Sequence, residues 1–361
     1  MKLTIDPKLF AELVTWAARS LPQRPVVPVL SGLLLEADAD QLTVSAFDYD
    51  LSVRGHTTAD IAEPGRILLP GRVLAEVAKS LPTISFVELA ANDREATLTC
   101  GRSEFALPTM PADDFPTLPE PPAAVGTIDG SSLAVAVQQI AVACSRDDSV
   151  PMLFGIRVDA NGDQLTLAAT DRYRIAVRDL AWQPNGDQTL GQLIPGRTLH
   201  DIAKTLHGEV TISLNNQLAA FSCADRITTA RLIAEPFIDY RARVTLDATT
   251  TATINADHLA SAVKRVALVA DRDNASIRLS FTSDQVVVRA GDASIGRGSE
   301  VVECGLDGDD IEIAFQSQFL LDSLAGIDGQ ARIGMQTPTQ PALFSSTDSS
   351  YTHLVMSLRL S

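Results

Sequence analysis

The sequence predicts an α+β fold of three similar domains, each made of helices on an antiparallel sheet. Three recurrences predict it. The stretch DQLTVSAFD, Asp40 to Asp48, returns as DQLTLAATD at Asp163 to Asp171 and, more loosely, as DQVVVRAGD at Asp284 to Asp292. The first two copies align without a gap at an offset of 123, and the match reaches back to Gly32 with Gly155, Leu30 with Leu153 and Ala37 with Ala160. Upstream, TID at Thr4 to Asp6 recurs as TID at Thr127 to Asp129 and as TIN at Thr253 to Asn255, each opening a segment of helical spacing. Downstream, ILLPGRVLAEVAKSL, Ile67 to Leu81, recurs as QLIPGRTLHDIAKTL, Gln192 to Leu206, at an offset of 125. FQSQFLLDSLAGI, Phe315 to Ile327, matches both in apolar spacing.

Repeats of roughly 120 residues are far longer than solenoid units and large enough for each to hold its own core. The expected domains are 1–122, 123–246 and 247–361. Pro111, Pro116, Pro119, Pro121 and Pro122 mark the first joint, and the Thr-rich run from Thr245 to Thr253 lies near the second. In TIDPKLFAELVTWAARSLP the apolar residues Leu9, Phe10, Leu13, Val14 and Ala17 recur at helical spacing, with Asp6 as N-cap and Pro7 at the favoured first position. That face is expected in the core, and Lys8, Glu12, Thr15 and Arg19 are expected in water. In the repeated strand, Leu42, Val44 and Ala46 alternate onto one face, matched by Leu165, Leu167, Ala169 and by Val286, Val288, Ala290. This is the pattern of an antiparallel strand with one buried side.

A chain of 361 residues, 45% hydrophobic, is long enough for two or three domains and too apolar for disorder. The N-terminus MKLTIDPKLF has no basic region followed by an apolar core, and no window approaches the roughly 20 apolar residues of a spanning helix. A cytoplasmic protein with no membrane partner is expected. Cys100, Cys144, Cys223 and Cys304 lie far apart with no CxxC pair, which fits reduced, mostly buried thiols. The five histidines show no metal-ligand spacing, and GxSxG, P-loop and GxGxxG motifs are absent. No catalytic residue, metal or cofactor is therefore expected. A formal net charge of -16 repels nucleic acid on average, so any DNA role must be local.

Five further segments carry a resemblance: QRPVVPVLSGLLLE (Gln23 to Glu36), GRSEFALPTMPADDFP (Gly101 to Pro116), ATDRYRIAV (Ala169 to Val177), VALVADR (Val266 to Arg272) and LVMSLRL (Leu354 to Leu360). Together with the repeats they make the chain similar, over essentially its full length, to the bacterial DNA polymerase III β subunit, the sliding clamp, in its actinobacterial form. The resemblance implies a non-catalytic processivity factor with the DNA clamp fold. It implies a head-to-tail homodimeric ring, helices lining the hole, that encircles double-stranded DNA without regard to sequence. The implied partners are the polymerase III α subunit, the clamp loader and other proteins carrying clamp-binding peptides.

Such a ring is held by topology, so a few mobile cations inside an acidic body serve it better than tight phosphate binding. The expected DNA-facing residues are Arg24, Arg72, Lys79, Arg146, Arg197, Lys204, Lys264 and Arg265; Arg72 and Lys79 recur as Arg197 and Lys204. The resemblance maps the partner-peptide groove to Leu153, Thr170, Arg174, Ile175, Ile238, Leu343, Val355, Met356, Leu358, Arg359 and Leu360. It maps the dimer contact to Phe105 and Leu107 on one side and Leu268 and Val269 on the other, two different faces that must close by rotation. Two positions depart from the family pattern, since Ser357 and Ile238 stand where prolines are usual. Those departures motivate a second reading, a paralogous scaffold that binds partner peptides without serving as the main replicative clamp. A third, an enzyme using a cleft between repeats, lacks any visible set of nucleophile, base and orienting group.

Overall fold

The computed structural model describes residues 1–147, 149–186, 189–270, 275–292, 296–347 and 350–359. Leu360 of the expected groove, and Asp271 and Arg272 of the VALVADR segment, lie outside the described residues. The helices are α1 (Pro7–Ala18), α2 (Gly71–Ser80), α3 (Gly130–Ala141), the single turn α4 (Pro151–Phe154), α5 (Gly196–Ala203), α6 (Ala256–Val266) and α7 (Ser317–Ala325). Each repeat runs strand, helix, a series of antiparallel strands, helix, three strands. The elements that begin with Lys2–Ile5 and α1 return with Ala124–Asp129 and α3, then with Thr250–Asn255 and α6.

Local chemistry accounts for the recurrent pieces. The Asp6 carboxylate accepts hydrogen bonds from the Lys8 and Leu9 amides at 2.8 and 3.2 Å, and Asn255 accepts from the His258 amide at 3.0 Å, so both helices start on capped donors. In α1, Phe10, Leu13, Val14 and Ala17 are buried as the spacing predicts, joined by Trp16. Leu9 is a correction: it is 40% exposed, because it lies on the flank of a narrower apolar stripe. Gly71 and Gly196 open α2 and α5 against tight neighbours. A Cβ at Gly71 would stand 2.5 Å from a Leu21 methyl, and one at Gly196 2.5 Å from the Cys144 sulfur.

The aspartate that ends the repeated strand turns the chain. Asp48 Oδ1 accepts from the Asp50 and Leu51 amides at 3.0 and 2.7 Å, and Asp171 Oδ1 accepts from the Tyr173 and Arg174 amides at 3.0 and 3.1 Å. The next residue is left-handed in both copies, with φ of 76° at Tyr49 and 81° at Arg172. An Asx turn lets a non-glycine residue hold that conformation between paired strands.

Two compact units result: Met1–Asp129 with Leu206–Leu232, and Gly130–Thr205 with Ile233–Ser361. They do not coincide with the three repeats, because the second repeat contributes strands to both. In the first unit, Arg226–Arg231 of the second repeat pairs with Leu51–Thr58 of the first. In the second unit, Arg174–Ala181 of the second repeat pairs with Tyr351–Val355 of the third, inside a 12-stranded sheet. The core of the first unit joins Phe10, Leu13 and Val14 of α1 and Leu74 of α2 to Leu33, Leu35, Leu42 and Val44 of the sheet. Each such side chain is worth roughly 1.5–3 kcal/mol of burial.

The repeated strand keeps its expected inner face: Leu42, Val44, Leu165, Leu167, Val286 and Val288 are fully buried. The expectation of a single buried side fails for Gln164–Thr170, where Thr166, Ala168 and Thr170 are buried as well. An irregular strap, residues 233–246, lies over that outer face, and Tyr240, Phe237, Ile238 and Val244 pack on Ala168, Ile175 and Val177. Asp48→Ala removes two amide acceptors at a left-handed turn and is expected to lower unfolding stability by about 1–2 kcal/mol. Urea denaturation of the variant beside wild type checks this; an unchanged midpoint counts against the turn.

Candidate partner groove and DNA-facing cations

Of the predicted groove residues, Thr170, Arg174, Ile175, Leu343 and Val355 lie on the paired strands where Arg174–Ala181 meets Tyr351–Val355. Strand alternation divides them between two faces. Ile175 pairs with Leu354, and Leu354 pairs in turn with Leu343, so these three share the outer face with Ile238 of the strap. Arg174 pairs with Val355 on the opposite face. Val355 is therefore a correction, for it is fully buried beneath the helices, and Leu354 is the strand residue that faces the groove. The parity of Leu354, Met356 and Leu358 along the chain carried that signal. Leu153 and Thr170, also predicted there, are buried rather than open to solvent. Met356 is 43% exposed, and Leu343, Ile238 and Leu358 are half-buried.

Beyond Val355 the chain leaves the strand. The Met356 amide donates to the Tyr173 carbonyl at 2.9 Å, and the Leu358 amide to the Ala314 carbonyl at 2.7 Å. Arg359 is exposed. The Ser357 hydroxyl is buried without a hydrogen-bond partner among the described residues.

Arg174 proves to be a structural cation. Its guanidinium donates from Nε to Asp171 at 2.9 Å, from one terminal nitrogen to Asp322 of α7 at 2.6 Å, and from the other to the Val142 carbonyl just past α3. It also lies 4.4 Å above the Phe319 ring. At 8% exposure it is buried, and all three of its nitrogens donate inside the protein. Phe319 in turn stacks on Tyr173, an exposed aromatic of the same turn that sequence reasoning missed.

Next to this network, α3, α5 and α7 border a cleft of about 1170 Å³ lined by Arg146, Arg197, His200, Tyr173, Phe319 and Asp322, among others. Cys144 also borders it, and burial pushes its thiol up to about 12, which keeps it protonated and unreactive. All eight predicted DNA-facing cations are exposed. Arg24 and Arg146 follow α1 and α3 in loops rather than lying on helices. Lys79 pairs with Glu76 and Lys204 with Asp201, both at 2.9 Å, and Arg265 pairs with Glu300. Lys79, Lys204, Lys264 and Arg265 stand at helix C-terminal ends, where the macrodipole favours a cation for structural reasons alone. Arg72 and Arg197 stand in first turns, where the dipole opposes one, so helix stability does not explain their recurrence. Arg72 is occupied in part by the Leu21 and Pro22 carbonyls.

Residues 1–119 match the N-terminal domain of the DNA polymerase III beta subunit, 127–239 its central domain and 246–359 its C-terminal domain. The chain belongs to the DNA polymerase III beta subunit family. It is 42% identical over 377 aligned positions, covering all of both chains, to the beta sliding clamp of Streptomyces coelicolor. It is 38% identical to the beta sliding clamp homolog GriR of Streptomyces muensis, over 91% of this chain and 89% of that one. The DNA polymerase III subunit beta of Pseudomonas aeruginosa, 27% identical, matches over the whole of both chains with a TM-score of 0.95. So does a sliding clamp from the same organism bound to griselimycin. The three domains expected from the repeats, and the clamp fold that the resemblance implies, match the fold of this beta subunit.

Of the residues mapped to the dimer contact, Phe105 and Leu107 lie on a strand edge, and Leu268 and Val269 lie in the 3-10 turn Ala267–Val269 that follows α6. Phe105 and Leu107 belong to Ser103–Pro108, the outermost strand of a five-stranded sheet. Leu107 is 6% exposed and packs in the first unit's core, so it supports that edge from behind. Leu268 is 84% exposed and Val269 half-buried beside Gly298. Residues 296–303 of the strand Gly296–Asp307 pair on one side only among the described residues, with Gln285–Asp292.

The strand under the groove also sets an acid limit. His353 is fully buried, with Nδ1 2.8 Å from the Tyr351 hydroxyl; burial, aided by the Arg174 charge, lowers its pKa to about 3. An unfolded histidine titrates near 6.5, so its share of stability is intact above that pH and is lost as pH falls toward 3, by up to about 1.4 kcal/mol per pH unit. Urea midpoints at pH 7, 5.5 and 4.5 are expected to fall more steeply for wild type than for His353→Gln. Parallel curves would contradict the assignment.

Proposed function

We propose that this protein is a DNA sliding clamp, a non-catalytic processivity factor that encircles duplex DNA and tethers the replicative polymerase through its peptide groove. The observation that carries the reading is the full-length match, domain by domain, to beta sliding clamps. Three domains, taken as 1–122, 123–246 and 247–361, form a half ring on this reading. A second copy completes it by joining the edge at Phe105 to the edge at Leu268, Val269 and residues 296–303. The ring works in the cytoplasm on any DNA sequence. Partners are the polymerase III α subunit, the clamp loader and other proteins bearing clamp-binding peptides. A chain with net charge -16 gains retention from topology, and its few exposed cations supply weak, mobile phosphate contacts. The test is retention on circular against linearised plasmid in the presence of a matching loader; release from both would overturn the ring.

The scaffold paralogue remains the second reading, supported by Ser357 and Ile238 in the groove and by the likeness to GriR, which is itself named a homolog. A clamp that retains peptide binding but gives no processive synthesis with the replicative polymerase would favour it.

Because Leu107 is a core residue, the dimer is better probed at Leu268. Leu268→Asp places a charge on an 84% exposed side chain and should leave the fold intact while shifting sedimentation from dimer to monomer at micromolar concentration. A variant that stays dimeric moves the interface elsewhere.

Neutralising Arg146 and Arg197 together is expected to weaken loading and processive synthesis more than neutralising Lys79 and Lys204, whose charges have local partners. The defect should deepen with salt and ignore DNA sequence. Equal effects, or none, would place the phosphate contacts elsewhere.

Met356→Ala should weaken binding of a polymerase-derived peptide by about 1–2 kcal/mol, or roughly 5- to 30-fold. Ser357→Pro removes an orphaned hydroxyl, and the Ser357 amide makes no hydrogen bond among the described residues that proline would forfeit. It should therefore tighten the tail and raise affinity. Calorimetric titration checks both directions.

A further inference from the structure

The groove's outer wall is the strap, residues 233–246, which has no strand pairing of its own to hold it. Two of its side chains, Tyr240 and Arg241, make directional bonds to the sheet. The Tyr240 ring is 4% exposed among Ala168, Ile175, Val177 and Leu354, and its hydroxyl donates to Asp159 Oδ2 at 2.7 Å. Asp159 is itself oriented, since Oδ1 accepts from Arg157 Nε at 2.7 Å. The Arg157 guanidinium reaches across to Gly191, which pairs with Asp159 and has no side chain; a Cβ there would stand 2.0 Å from the guanidinium. On the other flank, Arg241 lies 5.3 Å from the Tyr240 ring and donates to the Thr166 hydroxyl at 3.2 Å, which donates to Asp179 at 2.6 Å. The Arg243 and Val244 amides both donate to the Tyr240 carbonyl at 3.0 Å, folding the strap back on this residue.

Ile238, which packs on the same apolar cluster as Leu343 and Leu354, sits two positions before Tyr240. The strap's apolar contacts hold it against the sheet but do not fix its registry along the sheet, because apolar packing is non-directional. The Tyr240 to Asp159 hydrogen bond is directional and buried, and it is the strap's side-chain bond to a carboxylate that is itself braced. We propose that Tyr240 and Asp159 are positioning residues for partner binding: their bond sets where Ile238 stands and hence the width of the groove that a partner's apolar anchors enter. This rests on the reading of Ile238, Leu343 and Met356 as the peptide groove.

Tyr240→Phe keeps the ring and removes only the hydroxyl. The expected result is peptide affinity about 5-fold weaker through a faster off-rate, with a shifted Ile238 methyl resonance and an unshifted Ile333 resonance in the same sheet. Asp159→Asn, which retains an acceptor for the tyrosine, should recover most of the affinity that Asp159→Ala loses. A merely structural role would lower the melting temperature without this pattern of loss and rescue. If Met356→Ala weakens the peptide while Tyr240→Phe binds as wild type does, the latch is overturned and the groove stands. If Met356→Ala also binds as wild type, the groove itself is wrong.

Discussion

The second unit depends on one buried cation. Arg174 sits where strands from two repeats meet, and its guanidinium joins the end of α3, the Asp171 turn and α7 through two carboxylates and a carbonyl. Burying a guanidinium is costly without partners, and here three hydrogen bonds and the Phe319 ring beneath it offset that cost. The same turn presents the Tyr173 carbonyl to Met356, so the groove's most exposed apolar residue hangs from the group that Arg174 braces. A joint between repeats thus becomes a continuous sheet, and the proposed peptide groove lies beside it.

The first repeat makes the corresponding joint, Leu51–Thr58 with Arg226–Arg231 of the second repeat, with different side chains at its turn. At the corresponding turn in the first repeat, Leu51 occupies the place of Arg174, and Phe47 the place of Thr170. The Phe47 ring is buried with Leu34, Leu68, Phe115 and Leu118 and meets Tyr49 edge-on. Apolar side chains fill the outer face there. In the second repeat small residues, Ala168 and Thr170, leave that face to be covered by the strap, with Ile238 and Met356 still partly exposed.

Much of this architecture is legible in the amino-acid sequence. Asp6, Pro7 and the spacing of Phe10, Leu13 and Val14 are local signals, and local signals survive folding. The recurrent Asp48 and Asp171 are visible as a pattern, although their task at a left-handed turn emerges only with the backbone φ. Period-two alternation marks Leu42 and Leu165 correctly and, applied to the chain's end, separates Leu354 from Val355. What stays hidden is non-local. Nothing near Leu107 shows that it closes the core while Phe105 stands at its margin. The burial of both faces of Gln164–Thr170 depends on a strap some 70 positions later. The conversion of Arg174 from groove residue to internal brace depends on Asp322, 148 positions away.

The most direct test of this account is native-state hydrogen exchange across the joint. Strands coupled through Arg174 should open as one cooperative unit. Amides of Arg174–Ala181 and of Tyr351–Val355 are then predicted to share one opening free energy in wild type and to lose protection together in Arg174→Met. Exchange of Tyr351–Val355 that is much faster than that of Arg174–Ala181, or an Arg174→Met variant that loosens one strand alone, would contradict it.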